Sequence, residues 1–296
     1  MEINEFAQKV RRAVAKELGE MYRTELKEVR KNNGVLLHGL LIIPPERNVA
    51  PTIYLETFFA AYEDGVAFGD VLGRIIQIFR EETPDGNIDM NFFKSFESVR
   101  DRICYRLISR HNNEELLRDI PYVDFLDLAV CFYYAYSGSM LGEGTILIHD
   151  SHMKYWNVKI KDLMNLAKEN TPRLFPGRLT PMREVLEEMM GIHENLSPEQ
   201  EIPLTVLTNT RRTHGAACIL YPGMLEGIGE RKKNGFYIIP SSVHEVLILE
   251  KTGAEAPEEM KKMIHEVNAQ HVAAEEVLSD NLYYYDFQTK TIRIIL

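Results

Sequence analysis

The stretch PSSVHEVLIL groups side chains that could do chemistry. Ser241, Ser242, His244 and Glu245 fall within five residues. A serine hydrolase needs a nucleophile within reach of its base and an oxyanion hole, and the usual GxSxG motif is absent. We therefore predict a structural turn, because Ser242 and Glu245 match the S-x-x-E capping box of a helical turn that leads into the next strand. A ligand-contacting role for the four residues stays as the alternative.

A second group, His149, Asp150 and His152, follows another predicted strand. Their spacing of three places the two histidines on one face if a helix begins here. Histidine and carboxylate ligands suit zinc, manganese or iron, with further ligands from elsewhere. The structural interpretation is that Asp150 or Ser151 is the N-cap of the helical turn that carries Trp156. We favour it, with no metal and no cofactor, and keep a divalent transition metal as the alternative.

Two arginines, Arg211 and Arg212, lie in the polar stretch NTRRTHGAA between two predicted strands. The guanidinium group is well shaped for phosphate or carboxylate, so both residues are candidate anion contacts. A polar hairpin loop is the commoner explanation of such a stretch.

Composition and charge exclude several classes of protein. The formal net charge is −10, whereas a non-specific nucleic-acid binder needs a basic surface, so we expect no nucleic-acid partner. No apolar run reaches 18 residues, so no membrane span is expected, and the N-terminus lacks the apolar centre of a secretory signal. Cys104, Cys131 and Cys218 form no CxxC pair and lie among apolar residues. This usage is typical of a reduced, cytoplasmic protein.

The order of predicted elements favours an α+β fold. Residues 2–18 have the i, i+4 apolar spacing of an amphipathic helix, and Asn33-Gly34 predicts a hairpin because both residues tolerate positive φ. A second hairpin is predicted at 282–296. Strands and helices come in clusters, which favours mixed, mainly antiparallel sheets with packed helices and hairpins near both termini. Further helices are predicted at 52–82 (in two pieces), 162–170, 181–190, 222–232 and from 256, and strands at 126–137, 145–150, 204–209, 216–221, 235–240 and 246–250.

No linker or repeat divides the chain, so we predict a single unit over residues 1–296. The acidic stretch HENLSPEQE, residues 193–201, is the best candidate for a boundary or exposed loop. It would separate residues 1–192 from residues 202–296.

Several phrases occur together and in order: APTIYLETFF, FLDLAVCFYY, ILIHDSHMKYW, GAACILYPGML and FYIIPSSVHEVLIL. With them, nearly the whole chain resembles a family of uncharacterised bacterial proteins, a domain of unknown function abundant in anaerobic gut Gram-positive bacteria. The resemblance implies one complete unit in a bacterial cytoplasmic protein. It carries no activity and no functional residues, although its phrases include both histidine groups.

The sequence favours a non-catalytic binding or regulatory protein that acts through a protein or small-ligand surface, because no catalytic constellation is complete. The alternative is a metal-dependent hydrolase, with His149, Asp150 and His152 as ligands and His244 or Glu245 as general base. This alternative requires the two groups to meet in space.

Overall fold

The computed structural model describes residues 1–84, 86–87, 89–138, 142–190, 203–232, 235–251, 253 and 256–295. Contacts divide the chain into an N-terminal unit, Met1–Phe92 with Ser137–Gly144, and a C-terminal unit, Phe93–Tyr136 with Thr145–Leu296. The boundary predicted at 193–201 lies outside the described residues, and the prediction of one functional unit stays a prediction.

The N-terminal unit packs three helices against a three-stranded sheet. The elements are α1 (Ile3–Leu18), β1 (Arg23–Arg30), β2 (Leu36–Ile43), β3 (Thr52–Tyr54), α2 (Glu56–Glu63) and α3 (Phe68–Glu82). Their strands pair antiparallel in the order β1-β2-β3. Asn33 and Gly34 adopt φ of 58° and 70° between β1 and β2, as the hairpin prediction requires. The apolar stripe of α1 is buried at Phe6, Val10 and Val14.

A smaller sheet begins the C-terminal unit. Its strands are β4 (Ile103–Ser109), β5 (Tyr122–Phe125), β6 (Leu128–Gly138) and β7 (Gly142–Leu147), with β6 between β4 and β5 and also paired with β7. Three helices accompany it: α4 (Phe96–Val99), α5 (Asp150–Trp156) and α6 (Ile160–Leu174). Thr171 Oγ1 accepts the Tyr105 N–H at 3.1 Å and Asn170 Nδ2 donates to the Ile103 carbonyl at 3.1 Å. Helix α6 thus satisfies the free edge of β4.

A six-stranded sheet completes the C-terminal unit. Its strands are β8 (Gly177–Pro181), β9 (Leu204–Asn209), β10 (Phe236–Ser242), β11 (Glu245–Glu250), β12 (Leu282–Asp286) and β13 (Thr291–Ile295). They follow the order β13-β12-β10-β11-β9-β8. The helices are α7 (Met182–Met190), α8 (Met224–Lys232) and α9 (Pro257–His271).

One carboxylate, Asp127, ties the turn before β6 to the segment that leads into β12. It accepts hydrogen bonds from the Ser279 hydroxyl at 2.6 Å, the Asn281 amide at 3.0 Å and the Tyr283 hydroxyl at 2.7 Å. Hydrogen bonds to a charged acceptor are stronger than neutral ones, so this contact holds the two sheets of the unit together.

The α+β prediction is confirmed, with antiparallel pairing between the described strands and hairpins near both termini. The strand predicted at 216–221 is wrong, since Gly215–Leu220 forms a 3-10 helix. The chain turns at His214, whose φ is 54°, and Gly215 then lies directly against Thr208 and Asn209 of β9. Strand β8 was not predicted because its sequence, GRLTP, begins with glycine and ends with proline, which are uncommon in strands.

Candidate functional site

The loop after β9 is organised by one side chain, Asn209. Its Oδ1 accepts the N–H groups of Arg211 at 3.0 Å and Thr213 at 3.4 Å, and its Nδ2 donates to the Thr213 carbonyl at 2.8 Å. Arg212 and His214 adopt positive φ of 52° and 54°. Such conformations cost energy in non-glycine residues and persist where the surroundings demand them. The loop therefore holds His214 in a defined place.

The same loop is joined to the turn between β10 and β11. The Thr208 hydroxyl donates to the His244 carbonyl at 2.7 Å, and the His214 N–H donates to His244 Nδ1 at 3.2 Å. At Gly215, a Cβ atom would overlap the Thr208 hydroxyl and the His244 carbonyl. Two stretches that the sequence analysis selected are thus in contact here: NTRRTHG and SSVHE. They pack so closely that a side chain at position 215 would overlap its neighbours.

The turn itself differs from the predicted capping box. Ser242 and Glu245 are cross-strand partners, with Val243 and His244 as a two-residue hairpin turn. Ser242 Oγ accepts the His244 N–H at 3.1 Å instead of the Glu245 N–H. A structural turn is present, but the helical turn is wrong, because β10 and β11 pair directly across the two residues.

Three rings assemble around this junction. His214 stacks on His244 with ring centroids 5.8 Å apart and 16° between planes, and Tyr133 of β6 lies 5.6 Å from His214. His244 Nε2 lies 3.4 Å from Glu276 Oε1. Because His244 Nδ1 accepts a backbone N–H, the hydrogen-bond network assigns the proton to Nε2, which faces Glu276. Both ring nitrogens of His244 are therefore engaged.

Beside these rings lies a cation that has no counter-ion among the residues that the structure describes. Arg106 of β4 pairs with Cys131 of β6, so its side chain shares a sheet face with Tyr133, two residues along. Its Nε is buried without a hydrogen-bond partner, and within the described residues Arg106 makes no ion pair. Burial lowers the pKa of Arg106, against the smaller opposing influence of Cys131 and Tyr133. Arginine keeps its charge in proteins, so this charge is poorly compensated.

His214 is neutral in this environment. Burial lowers its pKa to about 3, with the charge of Arg106 and the neighbouring His244 acting in the same direction. Its Nδ1 is buried and has no hydrogen-bond partner among the described residues. A largely buried guanidinium next to an unpartnered ring nitrogen is an arrangement that an oxyanion would complete.

The other histidine group serves the start of α5. His149 is the N-cap, and its N–H donates to His152 Nδ1 at 3.0 Å. The predicted cap at Asp150 or Ser151 is wrong, because Asp150 is already the first helical residue and its N–H donates to the Asp119 carbonyl at 3.0 Å. The two histidines do share a face, with ring centroids 5.5 Å apart. Burial, and then His149, lower the pKa of His152.

The two histidine groups lie on opposite faces of β6. Tyr133 contacts His214, whereas Tyr134 contacts Phe93 at 5.8 Å, and Phe93 contacts His152 at 5.0 Å. Neighbouring residues of a strand point to opposite faces. The strand therefore separates the residues that the hydrolase alternative combines. Across the described ranges, no group of three or more His, Cys, Asp or Glu residues could hold a metal ion.

A family model matches residues 3–287, almost the whole chain. The chain belongs to DUF5688, a family of unknown function. The resemblance to a domain of unknown function is thereby confirmed. No curated protein and no solved structure was found to match this DUF5688 chain. In the part of the DUF5688 chain that the structure describes, no helix is long and apolar enough to cross a membrane.

The remaining candidate residues of the DUF5688 protein make contacts other than those of the His214, His244 and Tyr133 rings. Arg212 is exposed and pairs with Glu188, and Arg211 is exposed next to it. Ser241 lines an apolar cavity.

Sequence reasoning missed Arg106 and Glu276 in this DUF5688 chain. The signal for Arg106 was a single arginine inside the apolar strand ICYRLIS. Glu276 carried no signal, since its contact with His244 depends on the folded chain bringing distant residues together.

Proposed function

We propose that this protein is a non-catalytic binding or regulatory protein whose ligand is a small molecule with a carboxylate or phosphate group. Arg106 anchors the anion, and His214 and Tyr133 form the adjoining wall. The resemblance to bacterial proteins, together with three buried free cysteines, supports a place in the bacterial cytoplasm.

The observation that carries this proposal is the poorly compensated charge of Arg106. Burying part of a charged group is unfavourable unless a partner compensates for the lost water, and Arg106 Nε is buried without such a partner among the described residues. An oxyanion offers the guanidinium two parallel N–H···O bonds, which restores the missing charge balance. Because His214 is neutral, Arg106 supplies the positive charge of this cluster.

Two features of the rings favour binding over catalysis. A general base works best with a pKa near the operating pH, whereas His214 has its pKa lowered to about 3. His244 has both ring nitrogens engaged, by the His214 N–H and by Glu276. Neither ring is arranged to take a proton from a bound substrate. The hydrolase alternative requires the His149 and His152 group to meet His244 or Glu245. It gains no support, because the two groups lie on opposite faces of β6.

Isothermal titration with inorganic phosphate, citrate and adenosine monophosphate tests the proposal. At least one should bind the wild-type protein, and Arg106→Gln should weaken that binding tenfold or more, which is about 1.4 kcal/mol. Arg118→Gln is the matched control, because Arg118 is exposed and the charge change is the same.

Equal affinity of the two variants would exclude Arg106 as the anchor. No binding of any probe at millimolar concentration would count against the anion itself. Turnover on a panel of hydrolase and nucleotide substrates would overturn the non-catalytic assignment.

A further inference from the structure

An apolar cavity of about 310 Å³ lies in the C-terminal unit, between α9 and the strands β9 to β11. The strand wall is made by Leu204, Ile239, Leu247 and Leu249, and the helix wall by Met260, Met263, Ile264 and Val267. Two of these side chains are exposed at the rim, Met263 at 64% and Val267 at 41%. The cavity therefore opens to solvent along one side of α9.

The cavity exists because α9 packs on the sheet along only part of its width. Ile264 is buried with Tyr237 and Leu282 of β10 and β12, and Met260 packs against this cluster. On the other side, the pairing of β10 with β11 shifts register between Ile239 and Ser242. A bulge bends its strand locally, and Leu204 of β9 with Leu247 and Leu249 of β11 line the cavity on this side.

The lining selects against polar ligands. Among the described residues that line the cavity, Ser241 and Asn268 are the ones with polar side chains. The Asn268 amide nitrogen is already committed, donating to the Ser279 carbonyl at 3.0 Å and to Asp280 Oδ1 at 2.8 Å. An extended peptide would bring backbone groups that find no partners here, and unpartnered polar groups are costly to bury. An uncharged apolar molecule brings none.

We propose that this cavity binds an uncharged, apolar small molecule, either a hydrocarbon chain or an aromatic compound. The volume reaches the lower end of ligand sites, roughly 300–1,000 Å³, and corresponds to about ten water molecules. Water in such walls finds few hydrogen bonds, so its release favours an apolar ligand. Met260 and Met263 have flexible, polarizable side chains that adapt to different shapes. This site is separate in its residues from Arg106 and does not depend on the proposed anion.

Fluorescence titration with N-phenyl-1-naphthylamine, a neutral aromatic probe, tests the inference. Its emission should rise on addition of the wild-type protein, and Met263→Lys should weaken binding at least tenfold by placing a charge at the rim. Met21→Lys is the matched control, since Met21 is 73% exposed and belongs to the N-terminal unit. It should bind the probe like wild type.

Absence of a fluorescence rise with the wild-type protein would overturn the inference, as would equal binding by the two methionine variants. Labelling the methionine methyl groups with 13C provides the second readout: the probe should shift the resonances of Met260 and Met263 but not that of Met21. Light scattering measures the oligomeric state and so tests whether a second copy of the chain occupies the cavity. A dimer that dissociates on Met263→Lys would show that a second copy of the chain fills the cavity, and would also overturn it.

Discussion

The two histidine pairs of this protein look alike in distance but differ in what surrounds them. The rings of His149 and His152 are 5.5 Å apart, and those of His214 and His244 are 5.8 Å apart. In the first pair, a ring nitrogen accepts the N–H that begins α5. In the second, the rings lie beside Arg106, which has no anionic partner in the described part of the chain. The comparison shows that spacing of histidines identifies a pair, whereas uncompensated charge next to the pair identifies a candidate site.

The difference also lies in how each pair is built. His149 and His152 need only one helical turn, which the four residues from His149 to His152 supply. His214 and His244 come from two loops 30 residues apart, held together by Asn209, Thr208 and the tight contact at Gly215. Strain and close packing at the second pair make it the more sensitive of the two to substitution.

The largest effect is expected from Gly215→Ala. The added methyl group overlaps the Thr208 hydroxyl and the His244 carbonyl and would lie 2.8 Å from the Asn209 nitrogen. Overpacking of this kind costs roughly 3 kcal/mol, because backbone atoms must move. Urea denaturation should show this loss as a lower midpoint with an unchanged slope.

Gly227→Ala provides the control for that substitution. Gly227 lies inside α8 with no atom within 4 Å of a Cβ, so alanine should stabilise the protein by about 0.5–1 kcal/mol. Equal effects of the two substitutions would show that the junction at Gly215 has room, and would remove the main structural difference between the histidine pairs.

The next largest expected effect is a pH-dependent loss of stability caused by protonation of His214 in the unfolded chain. Its pKa falls from 6.5 to about 3 on folding, so the neutral ring contributes stability that is complete above pH 6.5 and is lost as the pH falls toward 3. Between pH 7.5 and pH 5.5 this loss amounts to about 1.4 kcal/mol. The variant His214→Asn should not show this pH-dependent loss, and asparagine tolerates the positive φ at this position. The difference in unfolding free energy between wild type and variant should therefore be about 1.4 kcal/mol smaller at pH 5.5 than at pH 7.5.

Urea titrations at the two pH values measure this gap, and His271→Asn is the control. His271 is exposed at the end of α9, while His244, Glu276 and Arg106 around His214 stay unchanged in both proteins. A gap that stays constant with pH for His214→Asn would show that this ring is not held neutral, and the contrast with the helix-capping pair would weaken.

The sequence predicted most of the fold because most elements carry their own local signals. Such signals depend only on residues that are neighbours in the chain. Examples are the apolar stripe of α1, the Asn33-Gly34 turn, and the β-branched and aromatic residues of β6. Residues 216–221 misled the prediction, since an apolar run of six fits a strand or a buried 3-10 helix equally well. The segment begins at a close contact between Gly215 and β9, which no local pattern encodes.

The candidate site was predicted only in part. His214 and His244 were both noticed as residues of polar loops, but their stacking depends on pairing of β9 with β11. Arg106 gains its importance because no described carboxylate pairs with it, and a linear sequence does not show which neighbours a folded side chain lacks. The predicted arginines, Arg211 and Arg212, lie on the outer part of the loop, where a salt bridge with Glu188 accounts for Arg212.

The smallest effect is expected at the helix-capping pair. His152→Ala removes the acceptor of the His149 N–H and should cost about 1 kcal/mol for the lost hydrogen bond. His149→Ala should cost less, because alanine keeps the backbone N–H that makes this bond. Thermal unfolding of the two variants measures the difference.

The same variants separate capping from metal binding. If the pair only begins α5, neither EDTA nor one equivalent of ZnCl₂ should change the melting temperature of the wild-type protein. A metal ligand set would behave in the opposite way, because a ligand that binds the folded state raises its stability. Zinc would then stabilise wild type but neither variant, and His149→Ala would be as damaging as His152→Ala. That outcome would restore the hydrolase alternative on this face of β6 and would break the contrast between the two pairs.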